Sequence, residues 1–181
     1  MFNHDTRGGF FSNQDDVTSK NSDNPDAYLF SILDQLESYR GSDGNFTFLV
    51  CYPELKWGVD GKVCNEWIQS SNPLTESTII GFQPISLAFT LDSYRNDWRG
   101  IGRSPSSFEC TTIDDSPSQS NCYTAIGAIT NWPTEENLSI PGPCNEIGSN
   151  NPSGVTKVTL YVKENHDVKL LKGKHFIHIL K

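Results

Sequence analysis

The number and positions of the histidines bear on catalysis, because a serine or cysteine hydrolase needs a base beside its nucleophile. The chain holds four histidines; His4 lies near the amino terminus, and the other three fall within 163–181. The sequence contains no G-x-S-x-G motif. We therefore interpret His4 and Asp5 as a structural hydrogen-bonding pair near an edge strand, and we expect no enzyme.

Adjacent carboxylates, at 15–16 and at Asp114 and Asp115, are the next candidates for chemistry. Neighbouring residues on a strand point to opposite faces, so one pair cannot supply both the acid and the base of a glycosidase. Asp114, Asp115 and Asn121 could supply several of the six to eight oxygens that calcium takes. Ordinary turn chemistry is the favoured alternative, and calcium at Asp114 and Asp115 remains a hypothesis.

Tryptophans in predicted loops suggest a binding surface. An exposed indole covers the apolar face of a sugar while polar neighbours bind its hydroxyls, and binding residues concentrate in loops. We predict that the loops at 92–99, 113–123 and 130–145 form this surface. For each tryptophan alone, filling the core beneath a loop is the favoured alternative. The candidate ligand-binding residues are Trp98, Arg99, Asp114, Asp115, Asn121 and Trp132.

The five cysteines leave one without a partner. Cys51 and Cys64 flank a short segment with turn residues, so we predict a disulfide that stabilises by about 3 kcal/mol. Trp67, next to this pair, is the strongest core candidate among the tryptophans. Cys110–Cys122 is the preferred second pair, which leaves Cys144 for a partner chain or an upstream cysteine.

Two sequons, at Asn45 and Asn137, predict N-glycosylation and, with the cysteines, favour a secreted, extracellular glycoprotein. The amino terminus carries no apolar segment of a signal peptide, so we interpret the chain as a domain of a longer multidomain secreted protein or an incomplete gene product. Acidic residues outnumber basic ones over 1–162, which disfavours nucleic acid as a partner. The apolar runs are too short for a membrane span.

Local patterns predict a mainly β fold with one helix. Asn24 and Pro25 fit the start of a helix over about 25–40, and Leu29, Leu33 and Leu36 form one apolar face. Alternating patterns predict strands at 45–51, 78–82, 85–91, 123–130 and 155–162. We expect a jelly-roll-like β-sandwich over 1–163, with a fibrinogen-like α+β fold as the alternative and a poorly packed basic tail over 164–181.

Several strings together resemble an extracellular module of secreted and cell-surface proteins of marine invertebrates and some lower chordates. They are HDTRGG at 4–9, SILDQLE at 31–37, CYPEL at 51–55, CNEW at 64–67, IDD at 113–115 with AIGA at 125–128, and VTKV at 155–158 before LYV at 160–162. The resemblance covers about 2–163 and implies a first strand that begins before Phe2. Such modules accompany fibrinogen-related and lectin-like domains.

These patterns lead to one functional expectation. We expect a non-catalytic extracellular binding module, for a glycan or for a matrix or cell-surface protein, with no cofactor other than a possible calcium ion. A structural or adhesive matrix domain is the first alternative, and a secreted hydrolase that uses the carboxylates is the second.

Overall fold

Strands form most of the regular structure in the computed structural model, which describes residues 1–55, 63–90, 98–103, 111–112, 124–127, 140–143 and 154–163. The mainly β prediction is confirmed. The strands are β1 (Phe2–Asp5), β2 (Ser19–Lys20), β3 (Leu29–Ile32), β4 (Phe46–Cys51), β5 (Cys64–Gln69), β6 (Gln83–Leu87), β7 (Thr111–Thr112), β8 (Thr124–Ala125), β9 (Ile140–Pro141), β10 (Gly154–Val155) and β11 (Lys157–Val162).

Seven of these strands make one antiparallel sheet, in the order β2-β3-β1-β11-β4-β5-β6. Two shorter ladders stand apart from it, with β9 antiparallel to β10 and β7 parallel to β8. The helical elements are short: α1 spans Gln14–Thr18, and 3₁₀ turns span Thr6–Gly8 and Leu33–Tyr39. The described residues include no helix long and apolar enough to cross a membrane.

The helix predicted over 25–40 is wrong. β3 occupies Leu29–Ile32, and only Leu33–Tyr39 is helical, as a 3₁₀ helix. Leu29, Leu33 and Leu36 are all buried, so the apolar spacing identified core residues correctly. β3 lies between β1 and β2, and pairing with both neighbours outweighs the weak local preference for a helix.

Strand predictions hold where one face is buried. β4 and β11 fall inside 45–51 and 155–162 as expected. Within the described residues, 78–82 forms no strand. Pro84 lies inside β6 rather than interrupting it, because β6 is an edge strand of the sheet. Of 123–130, β8 covers Thr124–Ala125, and 128–130 lies outside the described residues.

One face of the seven-stranded sheet, the core face, carries the core. Cross-strand register places Phe2 opposite Leu160, Leu160 opposite Val50, and Phe48 opposite Trp67. All of these side chains are buried, and the core prediction for Trp67 is confirmed. The β9–β10 ladder contributes Ile140 and Val155 to the same core, and Ile126, which directly follows β8, contributes as well.

Candidate functional site

The predicted tryptophan platform at Trp98 is contradicted by its burial. Trp98 is 4% exposed, and its ring meets Trp67 edge-on with 4.7 Å between ring centroids. Phe82 and Phe89 pack against it at 5.7 and 5.4 Å. The ring therefore fills the core on the core face of the sheet, as the favoured alternative held, and no sugar can stack on it.

The chain around Trp98 is fastened to the sheet by the buried side chain of Gln69. The Gln69 Oε1 atom accepts hydrogen bonds from the Trp67 indole N–H (2.9 Å) and the Ile101 backbone N–H (3.2 Å). The Gln69 Nε2 atom donates to the carbonyls of Ile101 (2.8 Å) and Ser71 (3.0 Å). Segment 98–103 is thus held against the sheet by buried hydrogen bonds and has a structural role. Arg99, within it, is exposed and makes interactions of its own.

Four other predicted ligand residues lie outside the described residues: Asp114, Asp115, Asn121 and Trp132. The calcium hypothesis at Asp114 and Asp115 therefore stays a prediction. In the parts of the chain that are described, no group of three or more His, Cys, Asp or Glu side chains is placed to hold a metal ion.

His4 and Asp5 do form part of the structural framework, but on an interior strand rather than near an edge. β1 is paired on both sides, and both side chains are buried. The His4 Nε2 atom lies 3.2 Å from the Gly9 carbonyl oxygen. Burial lowers the pKa of His4 to about 4, although the Gly9 hydrogen bond opposes this. A neutral ring enclosed in the core is positioned to support the fold rather than to reach a substrate.

Asp5 is held by cations. Its carboxylate accepts hydrogen bonds from the Arg7 guanidinium, the shortest at 2.5 Å, and Lys157 lies 4.0 Å away. The Arg7 hydrogen bonds lower the pKa of Asp5 although burial opposes them. The Arg7 guanidinium also covers the ring of Tyr28, at 4.6 Å from its centroid. The Asp5 carboxylate is thus buried with its charge paired, while the Arg7 side chain that pairs with it remains exposed.

The opposite face of the sheet, which we call the outer face, is partly open over β4, β5 and β6 and at Tyr161 of β11, whereas Thr159 of β11, on the same face, is buried. Register places Tyr161 opposite Leu49, Leu49 opposite Glu66, and Glu66 opposite Ser86. We call these four side chains the outer row. Tyr161 is 49% exposed although β11 is the central strand of the sheet. Leu49 and Glu66 are partly exposed and Ser86 is exposed, so the row presents a ring, an aliphatic side chain, a carboxylate and a hydroxyl in line.

The predicted disulfide lies at one end of the outer face. Cys51 and Cys64 are directly opposite each other on β4 and β5 and are bonded, with 4.2 Å between their Cα atoms. This prediction is confirmed. Cys110, Cys122 and Cys144 lie outside the described residues, so the second pairing stays a prediction.

The sequon at Asn45 lies at the other end of the outer face. Asn45 is partly exposed immediately before β4, and Thr47 is partly exposed on β4 itself. Asn137 and the tail over 164–181 lie outside the described residues.

No family model, curated protein or solved structure matches this chain. The sequence prediction did not include Tyr161 as a candidate, although the alternation of β11 places it on the face opposite Val158, Leu160 and Val162.

Proposed function

We propose that this chain is a non-catalytic extracellular binding module that takes a glycan on the outer face of its sheet. The observation that carries the proposal is the half-exposed ring of Tyr161 on the central strand, in register with Leu49, Glu66 and Ser86.

The outer row has the chemistry that a sugar needs. A tyrosine ring offers an apolar surface with a polar tip, which suits the apolar face of a sugar ring. The Glu66 carboxylate accepts hydrogen bonds from hydroxyls, and the Ser86 hydroxyl both donates and accepts. The row crosses from β11 to β6, three strand spacings or about 14 Å, which accommodates a short oligosaccharide.

A glycan fits this surface better than a protein partner does. Stable protein interfaces bury about 800 Å² on each side, with a core enriched in aromatic residues. The outer row offers one large ring with polar groups beside it. A surface that combines an apolar ring with hydroxyl-binding groups favours a sugar, which has both an apolar face and hydroxyls.

Two features support an extracellular location. Disulfides persist in oxidising compartments, and Cys51–Cys64 is bonded. The sequon at Asn45 is at the surface, where a glycan can be carried.

We further propose that the seven-stranded sheet is one layer of a jelly-roll-like β-sandwich. The burial of Ile126, Ile140 and Val155 in the same core supports this, because Ile140 and Val155 belong to the β9–β10 ladder and Ile126 directly follows β8. A second layer built from such ladders would cover the core face and leave the outer face free for ligand.

A glycan array tests the function. We expect the folded wild-type chain to bind a subset of glycans, and Tyr161→Thr to weaken that binding at least tenfold, which corresponds to about 1.4 kcal/mol. Threonine removes the ring but keeps a strand-forming residue. Tyr161→Phe retains the ring and should retain most of the affinity. Tyr28→Thr is the matched control, since Tyr28 is 48% exposed but lies outside the outer row.

The array should be run with and without calcium. If Tyr161→Thr leaves binding intact while Asp114→Ala abolishes calcium-dependent binding, the site belongs on the predicted loops instead. Silence of folded protein in both conditions would sink the glycan proposal and favour a structural or adhesive matrix domain. Turnover of a polysaccharide panel would instead support the hydrolase alternative.

A further inference from the structure

A tight turn at 41–45 presents Asn45 at the start of β4. The Gly41 backbone N–H donates to the Asn45 carbonyl (2.7 Å), and the Gly44 N–H donates to the Gly41 carbonyl (2.9 Å). Gly44 has a φ of +81°, a conformation that glycine adopts without strain. The turn therefore holds Asn45 in one place while the intervening Ser42 and Asp43 remain exposed.

The Asn45 amide is available at the surface. Its Nδ2 atom donates to the Asp43 carboxylate (3.0 Å), and this contact is exposed. Asn45 and Thr47 are both partly exposed, whereas Phe46 between them is fully buried. The Arg40 guanidinium covers the Phe46 ring, 4.1 Å from its centroid. The sequon thus has its acceptor amide and its hydroxyl residue accessible, and its middle residue anchored in the core.

We propose that Asn45 carries an N-linked glycan in the folded protein; this inference rests on the extracellular location proposed above. The donor is an oligosaccharide linked to a lipid diphosphate. The Asn45 Nδ2 atom forms a bond to C1 of the first sugar, the bond from C1 to the diphosphate oxygen breaks, Nδ2 loses one proton, and the lipid diphosphate leaves.

The fold accommodates this modification. Glycosylated Nδ2 keeps one hydrogen, so the bond to Asp43 can persist, and no core contact depends on the amide. Leu49, the β4 member of the outer row, is four residues from Asn45, or about 13 Å along the strand. The glycan is therefore attached at the end of the outer face rather than on the Tyr161 row, so modification and ligand binding are compatible.

The test uses the full chain behind a cleavable signal sequence, translated in the presence of endoplasmic-reticulum microsomes. Asn137→Gln, present throughout the series, leaves Asn45 as the one remaining sequon of the sequence. We expect one additional, slower band that an N-glycan amidase removes. The band should disappear in Asn45→Gln and Thr47→Ala and persist in Thr47→Ser, which retains the hydroxyl.

The same product tests compatibility with the fold. The glycosylated chain should contain the Cys51–Cys64 disulfide, and its melting temperature should stay within about 2 °C of that of the deglycosylated chain. An unmodified band for protease-protected, translocated chain overturns the proposal, and so does a glycosylated chain that lacks the disulfide or the melting transition. The glycan array uses unglycosylated bacterial protein, so its failure is distinguishable from a failure here.

Discussion

His4 should make the stability of this protein depend on pH well above the range in which carboxylates titrate. Its ring is 0% exposed and meets the rings of Phe10 and Phe11 edge-on, at 5.5 and 5.0 Å between centroids. Charging an imidazole in such surroundings is costly. Burial lowers the pKa of His4 from 6.5 to about 4, and the carbonyls of Gly9 and Ile126 and the charge of Asp5 offset it only in part.

The direction follows from proton uptake. With a pKa of 6.5 in the unfolded chain and about 4 in the folded one, the unfolded chain binds more protons between these values. Stability is therefore complete above pH 6.5 and falls as the pH drops toward 4. Through His4 alone, lowering the pH from 7 to 5 should reduce the unfolding free energy by about 2 kcal/mol, and lowering it to 4 by about 3 kcal/mol.

Carboxylates with a lowered pKa affect the stability of the protein mainly at lower pH than His4 does. Hydrogen bonds from Arg40 lower the pKa of Glu37 from 4.5 to about 2, so the stability that Glu37 provides is lost mostly below pH 4.5. Asp5, whose pKa is lowered by Arg7, behaves in the same direction. Between pH 7 and 5 the His4 contribution dominates over these two.

Urea unfolding at pH 7, 6 and 5, followed by tryptophan fluorescence, measures the effect. We expect the wild-type free energy to fall by about 2 kcal/mol more over this range than that of His4→Leu or His4→Phe, whatever the stability of these variants at pH 7. Comparing the slopes of wild type and variants cancels the contributions of the three histidines in 163–181 and of the Met1 amino group, whose pKa burial lowers from 8.0 to about 6. Equal slopes for wild type and both variants, or an NMR titration of His4 with a pKa near 6.5, would refute the reasoning.

Three variants and one control test the contacts that hold the sheet and segment 98–103 together. Replacing Cys51 and Cys64 together with alanine should lower the unfolding free energy by about 3 kcal/mol in urea titrations, from the sequence separation of 13; an unchanged midpoint would contradict this. Gln69→Leu should lower the unfolding free energy by about 2 kcal/mol or more, because its buried partners lose their hydrogen bonds. The control Gln83→Leu, on the exposed strand β6, should change the unfolding free energy by less than about 0.5 kcal/mol. Equal effects of the two substitutions would disprove the Gln69 network. Gly100→Ala should lower the melting temperature, because φ is +101° and the new Cβ would lie 2.7 Å from the Gln69 Oε1 atom; a variant as stable as wild type would contradict that close approach.

Alternation was the most informative local signal. In β4, Phe46, Phe48 and Val50 are buried while Thr47 and Leu49 are partly exposed, because each strand of this sheet sets successive side chains on opposite faces. The Cys51–Cys64 pair was predictable for a related reason. A short segment with turn residues returns the chain beside itself, and the two cysteines then stand opposite each other.

Spacing alone misled where two structures bury the same residues. Leu29, Leu33 and Leu36 fit one face of a helix, yet Leu29 is buried within β3, and Leu33 and Leu36 are buried within a 3₁₀ helix. Apolar residues that recur every three to four positions indicate burial on one side of the chain. The pairing of β3 with β1 and β2 then decides the backbone conformation.

The sequence by itself determined that the chain is mainly β, which faces of β4 and β11 are buried, and which two cysteines form the disulfide, because these depend on neighbours along the chain. Only the tertiary structure decided which aromatic rings meet solvent. Trp98 stands in polar, loop-like sequence but is covered by Trp67, Phe82 and Phe89, whereas Tyr161 lies in the central strand and stays half exposed. Exposure of a ring depends on what packs over it from distant parts of the chain, and local sequence carries no record of that.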